Sequence, residues 1–253
     1  MSTILVNPHT TGNTGAGGFV LPAISANYLG WWEARLETGF ADGAAVGTIT
    51  DQSGAGNNWT QATAGFKPTF KTGIVNSQAV FRFDGTDDYV SLGSDILSGE
   101  TEAEIFIVLK IDNDPGASLQ DGLWKMDGDG TNACHYSFNA NGEIYEAWGS
   151  TARKSTGVNP TPALTSFRLY NVGSKASEYK IRLDGTEIYT TGTNTFSSMT
   201  GSNRDLGRGV GLFGNPYFDG DIAAVVIVDA VLSSPDRELI EAELALAYAL
   251  TIA

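Results

Sequence analysis

The chain has 253 residues, 42% apolar and only 17% charged, which is enough to bury one large core and too little charge for a disordered segment. Fifteen basic residues against 29 acidic ones leave a net charge of -14, which repels phosphate backbones and anionic headgroups and argues against nucleic acid or a membrane surface as a partner. One cysteine, Cys134, excludes an intramolecular disulfide, and with only His9 and His135 beside it no usual structural zinc site can form.

Residues 1–32 contain no Asp, Glu, Lys or Arg. Two apolar patches, Ile4, Leu5, Val6 and Phe19, Val20, Leu21, flank a Gly/Thr-rich spacer from Thr10 to Gly18. Short apolar patches on such a tether can add as strands to a neighbouring sheet. The expectation is an uncharged assembly arm over residues 1–26 and one domain over 27–253; the competing expectation makes the patches a first strand and loop of that same domain. If the arm is separate, removing residues 1–24 leaves the domain's stability unchanged and abolishes its incorporation into an assembly. The start lacks a basic n-region with a long apolar stretch, and no later run reaches the length of a membrane span, so synthesis in the cytoplasm without a signal peptide is expected.

Short β runs follow, separated by turn signals. Phe81-Arg82-Phe83 and Tyr179-Lys180-Ile181-Arg182-Leu183 alternate as half-buried strands do, while Ile105 to Leu109 is a continuous apolar run suited to a strand covered on both faces. Asn141-Gly142 and Asp184-Gly185 favour the left-handed backbone of tight hairpin turns. Trp31, Trp32, Phe81, Phe83, Tyr179 and Phe167 are expected in the core. Many strands without alternating helices predict an all-β, two-sheet antiparallel sandwich. One helix closes the chain: Ser234 reads as its N-cap, Pro235 as its first residue, and Ile240, Leu244, Ala247 and Tyr248 as its apolar stripe.

Trp31-Trp32-Glu33-Ala34, then Asp51 to Gln61, Lys67-Pro68, and Ala79 to Tyr89 resemble, in order, the opening half of concanavalin A-like, laminin G-like jelly rolls. Leu206-Gly207-Arg208, Phe218 to Ala223 and the helix opened by Leu232-Ser233-Ser234-Pro235 are similar to the closing half. Trp59 and Ala249 depart from the pattern, where a smaller residue and a glycine are expected. The resemblance covers roughly residues 27–250 and implies a jelly-roll sandwich of a kind found in lectins, carbohydrate-binding modules, glucanases, bacterial adhesion modules and bacteriophage virions.

Catalysis is not expected. Glu100-Thr101-Glu102-Ala103-Glu104 has the alternate spacing of a glucanase carboxylate strand but lacks the central Asp, and a solvated strand entrance is the expectation there. Glu143 and Glu146 point to opposite faces of a strand, and G-x-S-x-G, H-E-x-x-H and P-loop patterns are all missing. No cofactor is expected; calcium stays open as an alternative at Asp127-Gly128-Asp129-Gly130, Asp84 with Asp87 and Asp88, and Asp219 with Asp221, each of which is equally a turn.

A two-residue turn at Asn141-Gly142 would pair Ser137 with Glu146 and His135 with Trp148. His135, Ser137, Asn139, Glu146 and Trp148 would then share a mixed face fit to hold a sugar ring, with a solvated strand face as its alternative. Cys134, Tyr136, Phe138, Tyr145 and Ala147 would pack inward. The functional expectation is a non-enzymatic virion or adhesion protein of a bacteriophage, assembled with other virion proteins or copies of itself and displaying a lectin-like jelly roll toward glycans. A free-standing carbohydrate-binding protein is the alternative, and a glycoside hydrolase stands behind both.

Overall fold

A computed structural model describes residues 19–112, 122–126, 134–139, 143–161, 163–198, 204–209 and 217–253, with only the backbone described over 134–139. The strands run in chain order as β1 (Tyr28–Glu33), β2 (Thr48–Ile49), β3 (Trp59–Thr60), β4 (Thr69–Val75), β5 (Gln78–Asp84), β6 (Val90–Leu92), β7 (Glu102–Ile111) and β8 (Gly122–Lys125). They continue as β9 (Cys134–Asn139), β10 (Glu143–Glu146), β11 (Lys154–Ser155), β12 (Arg168–Lys175), β13 (Glu178–Leu183), β14 (Thr186–Thr191), β15 (Arg204–Leu206) and β16 (Asp219–Val228), followed by helix α1 (Ser234–Tyr248). Two antiparallel sheets result, one in the order β14-β13-β12-β7-β16-β5-β4 with β1 added to β16, the other in the order β11-β10-β9-β8-β15-β6-β3-β2. The expected two-sheet sandwich is the fold observed.

Alternation explains the layering. Along β7, Ile105, Ile107 and Leu109 enter the core between the sheets, whereas Phe106 and Val108 enter a second core on the other side of the same sheet. Trp31 and Trp32 divide the same way, Trp32 packing between the sheets and Trp31 beneath α1. The first sheet is therefore covered on both faces. Trp59 fits the inter-sheet core without exposure, its ring 5.5 Å from that of Trp32. Phe81, Phe83 and Tyr179 are buried as expected, and Phe167 packs partly buried on the second core. No helix among the described residues is long and apolar enough to cross a membrane.

The motif around Asp51 has a structural cause. Asp51 Oδ1 accepts from the amides of Trp31 (3.0 Å) and Ser53 (2.8 Å), and Oδ2 accepts from the Asn57 amide (3.0 Å). Asn57 Nδ2 donates to the Leu29 carbonyl at 2.8 Å, so the loop 51–58 is clamped onto β1. Asp184 and Gly185, at φ 47° and 79°, form the left-handed turn expected between β13 and β14.

Two expectations need correction at the chain ends. Leu21 is 7% exposed within the second core, where Phe19, Ile24, Ala26 and Tyr28 also pack, and the Phe19 ring lies 5.4 Å from that of Trp31. Phe19 and Leu21 thus belong to their own domain, because the outer face of the first sheet needs apolar cover; Val20, 52% exposed, points away. Ile4, Leu5 and Val6 lie outside the described residues. The helix N-cap is Ser233, one residue earlier than expected, its hydroxyl accepting from the Asp236 amide, and this moves Pro235 to the second helical position.

Candidate functional site

The glycan face expected around residues 135–148 does not form as drawn. β10 pairs with β9 in a shifted register, with an irregularity between Glu143 and Tyr145: Glu143 faces Asn139, Tyr145 faces Tyr136 and Glu146 faces His135. Trp148 and Glu146 have no exposed surface, and Ile144 beside them is in the inter-sheet core. A fully buried indole cannot stack on a sugar, so Trp148 and Glu146 are corrected to interior residues. The orientation is reversed because the core accommodates the carboxylate: Glu146 Oε1 accepts from the amides of Ala147 (2.9 Å) and Trp148 (2.8 Å), and Oε2 from the Tyr170 hydroxyl (3.0 Å). Burial and the neighbouring Glu146 charge push the Tyr170 hydroxyl well above its ordinary pKa, so it stays a donor. Tyr145, expected inside, is only half-buried, with the Arg153 guanidinium 4.9 Å from its ring centre. The side chains of Cys134, His135, Tyr136, Ser137, Phe138 and Asn139 lie outside the described residues.

Sequence reasoning missed a different polar and aromatic cluster, on the outer face of the second sheet. Thr60 on β3, Ser91 on β6, Asp205 on β15 and Lys125 on β8 stand in one cross-strand row. Val90, Leu92, Trp124 and Leu206 enter the inter-sheet core, which turns this row outward. Asp205 anchors it: Oδ1 accepts from the Ser91 hydroxyl at 2.5 Å, and Oδ2 accepts from Arg208 Nε (3.0 Å) and Nη2 (2.7 Å), with Lys125 Nζ at 3.3 Å. The carboxylate has no exposure, while the side chains of Lys125 and Arg208 keep 13% and 24% of theirs.

Gly207 permits this arrangement. It adopts φ +85°, and a Cβ there would lie 2.3 Å from the Phe83 ring, so only glycine lets the chain turn Arg208 back over Asp205. The guanidinium carbon sits 3.8 Å from the centre of the Tyr89 ring, and Tyr217 lies 6.5 Å from Tyr89. Hydrogen bonds to Asp205 and Tyr217 raise the Arg208 pKa although burial opposes them, so it holds its charge. Chemically, a buried carboxylate fixes two cations and a hydroxyl beside two phenol rings. The spare N–H groups of Lys125 and Arg208 suit an oxygen-rich ligand, and the rings offer it apolar surface.

The acidic loop next to this cluster was an open alternative for calcium. Carboxylate oxygens of Asp84, Asp87 and Asp88 come within 4.8 Å of one another. Asp84 Oδ1 already accepts from the amides of Thr86 (2.9 Å), Asp87 (3.2 Å) and Asp88 (3.3 Å), which closes the turn. Burial first, then the charges of Asp84 and Asp87, push the Asp88 carboxyl up to about 7. Asp221 is taken up by Arg82 through two bonds of 2.7 and 2.8 Å. Asp127 and Asp129 lie outside the described residues.

The carboxylate strand is a latch rather than a solvated entrance. Glu104 is fully buried; its Oε1 accepts from Asn171 Nδ2 at 2.9 Å and its Oε2 from the Leu232 amide at 2.7 Å, while Glu102 Oε2 accepts from the Val231 amide at 3.0 Å. These bonds hold the turn that leads into α1.

The geometry defines a two-sheet antiparallel β-sandwich, and several solved structures have a similar fold. The ligand-binding domain of botulinum neurotoxin serotype D, solved in complex with N-acetylneuraminic acid, superposes with a TM-score of 0.61 at 9% identity over 88% of this chain. The binding domain of Paraclostridial Mosquitocidal Protein 1 gives 0.59 at 9% over 86%. A Trypanosoma rangeli sialidase in complex with sialic acid gives 0.50 at 13% over 91% of this chain and 34% of its own. The chain spans about half the length of the two binding domains, 52% of each. At these identities the likeness concerns the fold. No protein-family model and no curated protein sequence matches the chain.

Proposed function

We propose that this chain is a non-enzymatic glycan-binding module and that the ligand contacts the outer face of the second sheet at Ser91, Lys125, Arg208, Tyr89 and Tyr217. The observation that carries the reading is the Asp205-anchored cation pair beside the two tyrosine rings, since hydroxyl-rich rings are held by oriented donors and apolar faces together. The complexes of N-acetylneuraminic acid and sialic acid with similarly folded proteins favour testing acidic sugars among the first ligands. Asp205 acts as a counter-ion with every oxygen engaged, which suits positioning better than proton transfer.

A glycan array probed with the intact protein tests the reading, followed by titration of any ligand found against Tyr217→Ala. Loss of affinity by about tenfold, with an unchanged melting temperature, is expected. An array without ligands, or equal affinity in the variant, overturns it.

Display on a larger assembly, a bacteriophage virion or an adhesion structure, is the setting proposed with this function. It is favoured by where the chain enters: residues 19–28 lie against the outer face of the first sheet, opposite the candidate site. Attachment through residues 1–18 would leave the glycan face outward. Proteomics of purified particles is the check, and a protein found only free in solution counts against it.

A further inference from the structure

We propose a second, separate binding site for a carboxylate-bearing sugar, in a groove at the edge of the sandwich where the segment after β10 meets the segment after β14. The groove, of about 310 Å³, is lined chiefly by Thr151, Lys154, Ser177, Thr193, Asn194 and Thr195. That size lies near the lower end of small-molecule sites, roughly 300 Å³. Among the described residues no carboxylate lines it. This is unexpected for a chain with a net charge of -14, and it makes Lys154 the groove's one charge.

Lys154 is held but not neutralised. Its Nζ donates to the Thr193 carbonyl at 3.0 Å and sits 5.4 Å from the centre of the buried Tyr179 ring. Lysines on the neighbouring strands are paired, Lys175 and Lys180 with Glu178 at 3.6 and 3.7 Å, whereas Lys154 meets no carboxylate among the described residues. An ammonium can make three donations, so with one directed to the Thr193 carbonyl it keeps donor capacity for a ligand. Burial lowers its pKa from the ordinary lysine value, the direction in which a bound anion would reverse it.

The hydroxyls of Thr151, Ser177, Thr193 and Thr195 make no hydrogen bond among the described residues, so four donor–acceptor groups line the same groove as the ammonium. A carboxylate alone would leave most of them unused; a hydroxylated ring carrying a carboxylate would engage both sets. The groove is also rigid. Asn194 Oδ1 accepts from the Ser150 hydroxyl at 2.8 Å, and its Nδ2 donates to the Lys175 carbonyl at 2.8 Å and the Ser174 hydroxyl at 3.0 Å. The backbones of Thr151 and Thr195 meet at 3.1 Å, and those of Ser177 and Asn194 at 2.9 Å. Little ordering is left for a ligand to impose.

The groove does not share residues with the Tyr217 site, so the two readings fail separately. The test is an amide NMR titration of the full chain with glucuronate, N-acetylneuraminate and neutral glucose, repeated on Lys154→Gln, Lys154→Arg and Tyr217→Ala. The expected result is shifts at Thr151, Thr193 and Thr195 with the two acids and not with glucose, about tenfold weaker in Lys154→Gln, and kept in Lys154→Arg and Tyr217→Ala. Glutamine can still donate to the Thr193 carbonyl, so melting temperature separates loss of charge from loss of fold. Shifts of equal size with glucose, or undiminished binding by a folded Lys154→Gln, overturn the proposal. So does the absence of shifts with both acids.

Discussion

Ala249 ends α1 in the left-handed region, φ 52° and ψ 41°, with its amide donating to the Ala245 carbonyl. A side chain there is strained by roughly 1–2 kcal/mol, which glycine largely avoids. Ala249→Gly should therefore stabilise the protein by about 0.5–1 kcal/mol in urea titration, net of glycine's entropy cost. Asp88 works through protonation. Its folded pKa of about 7 lies above the ordinary 3.8, so the folded state binds more protons between those values. The sign follows: stability is greatest at the acidic end of that window and falls as pH rises toward and through 7. Melting temperatures taken from pH 5 to 8 should decline with pH more steeply in the native protein than in Asp88→Asn. Trp148, once expected to face a sugar, should instead behave as core, and Trp148→Ala should cost about 3–5 kcal/mol.

Among elements, the latch between β7 and the turn before α1 is the most exacting. Glu104 has Asn171, the Leu232 amide and Arg182 Nη1 (3.6 Å) around it, and Arg182 Nη1 also donates to Asn171 Oδ1 at 3.0 Å. Burial raises the Glu104 pKa, while the Leu232, Asn171 and Arg182 contacts pull it back. Glu104→Ala would take from the buried Arg182 its largest carboxylate partner and should cost about 3–5 kcal/mol. The Glu104→Met, Arg182→Met double variant should lose less than the two single changes added together; strict additivity in a denaturation cycle would refute the coupling. The sequence made the strands legible because Tyr179, Ile181 and Leu183 alternate with Lys180 and Arg182, and because Asp184-Gly185 has few backbone options. It could not sort β10, where Glu146 is inside because Tyr170 meets it, 24 residues on in a different sheet. Polarity patterns carry no record of such partners. The open-face site escaped for the same reason: Ser91 and Asp205 are 114 residues apart and meet only through strand pairing.

For the molecule as a whole, the decisive feature is that the first sheet is buried on both sides, which leaves the outer face of the second sheet as the place where the proposed ligand would sit. The cover on the first sheet comes from both ends of the chain: Phe19, Leu21, Ile24 and Tyr28 from one, and Ile240, Leu244, Tyr248 and Ile252 from the other. Glu33 ties them together, accepting from Trp31 Nε1 at 2.6 Å and facing the Tyr248 hydroxyl at 2.9 Å, while Arg35 bridges Glu33 and Glu243. The packing of Phe19, Leu21 and Ile24 in the second core predicts, against a freely removable arm, that deleting residues 1–24 costs stability. Two truncations separate the parts. Going from removal of residues 1–18 to removal of 1–26 strips four apolar side chains, Phe19, Leu21, Ile24 and Ala26, from the second core, about 3 kcal/mol at the usual worth of buried apolar surface. For a domain of this size that is roughly 6–12 °C in melting temperature. The shorter truncation tests attachment, because it keeps this cover and removes only the uncharged segment ahead of it. If the two truncated proteins melt together, Phe19, Leu21 and Ile24 are not part of the core. If the shorter one still enters the assembly, attachment lies elsewhere on the chain.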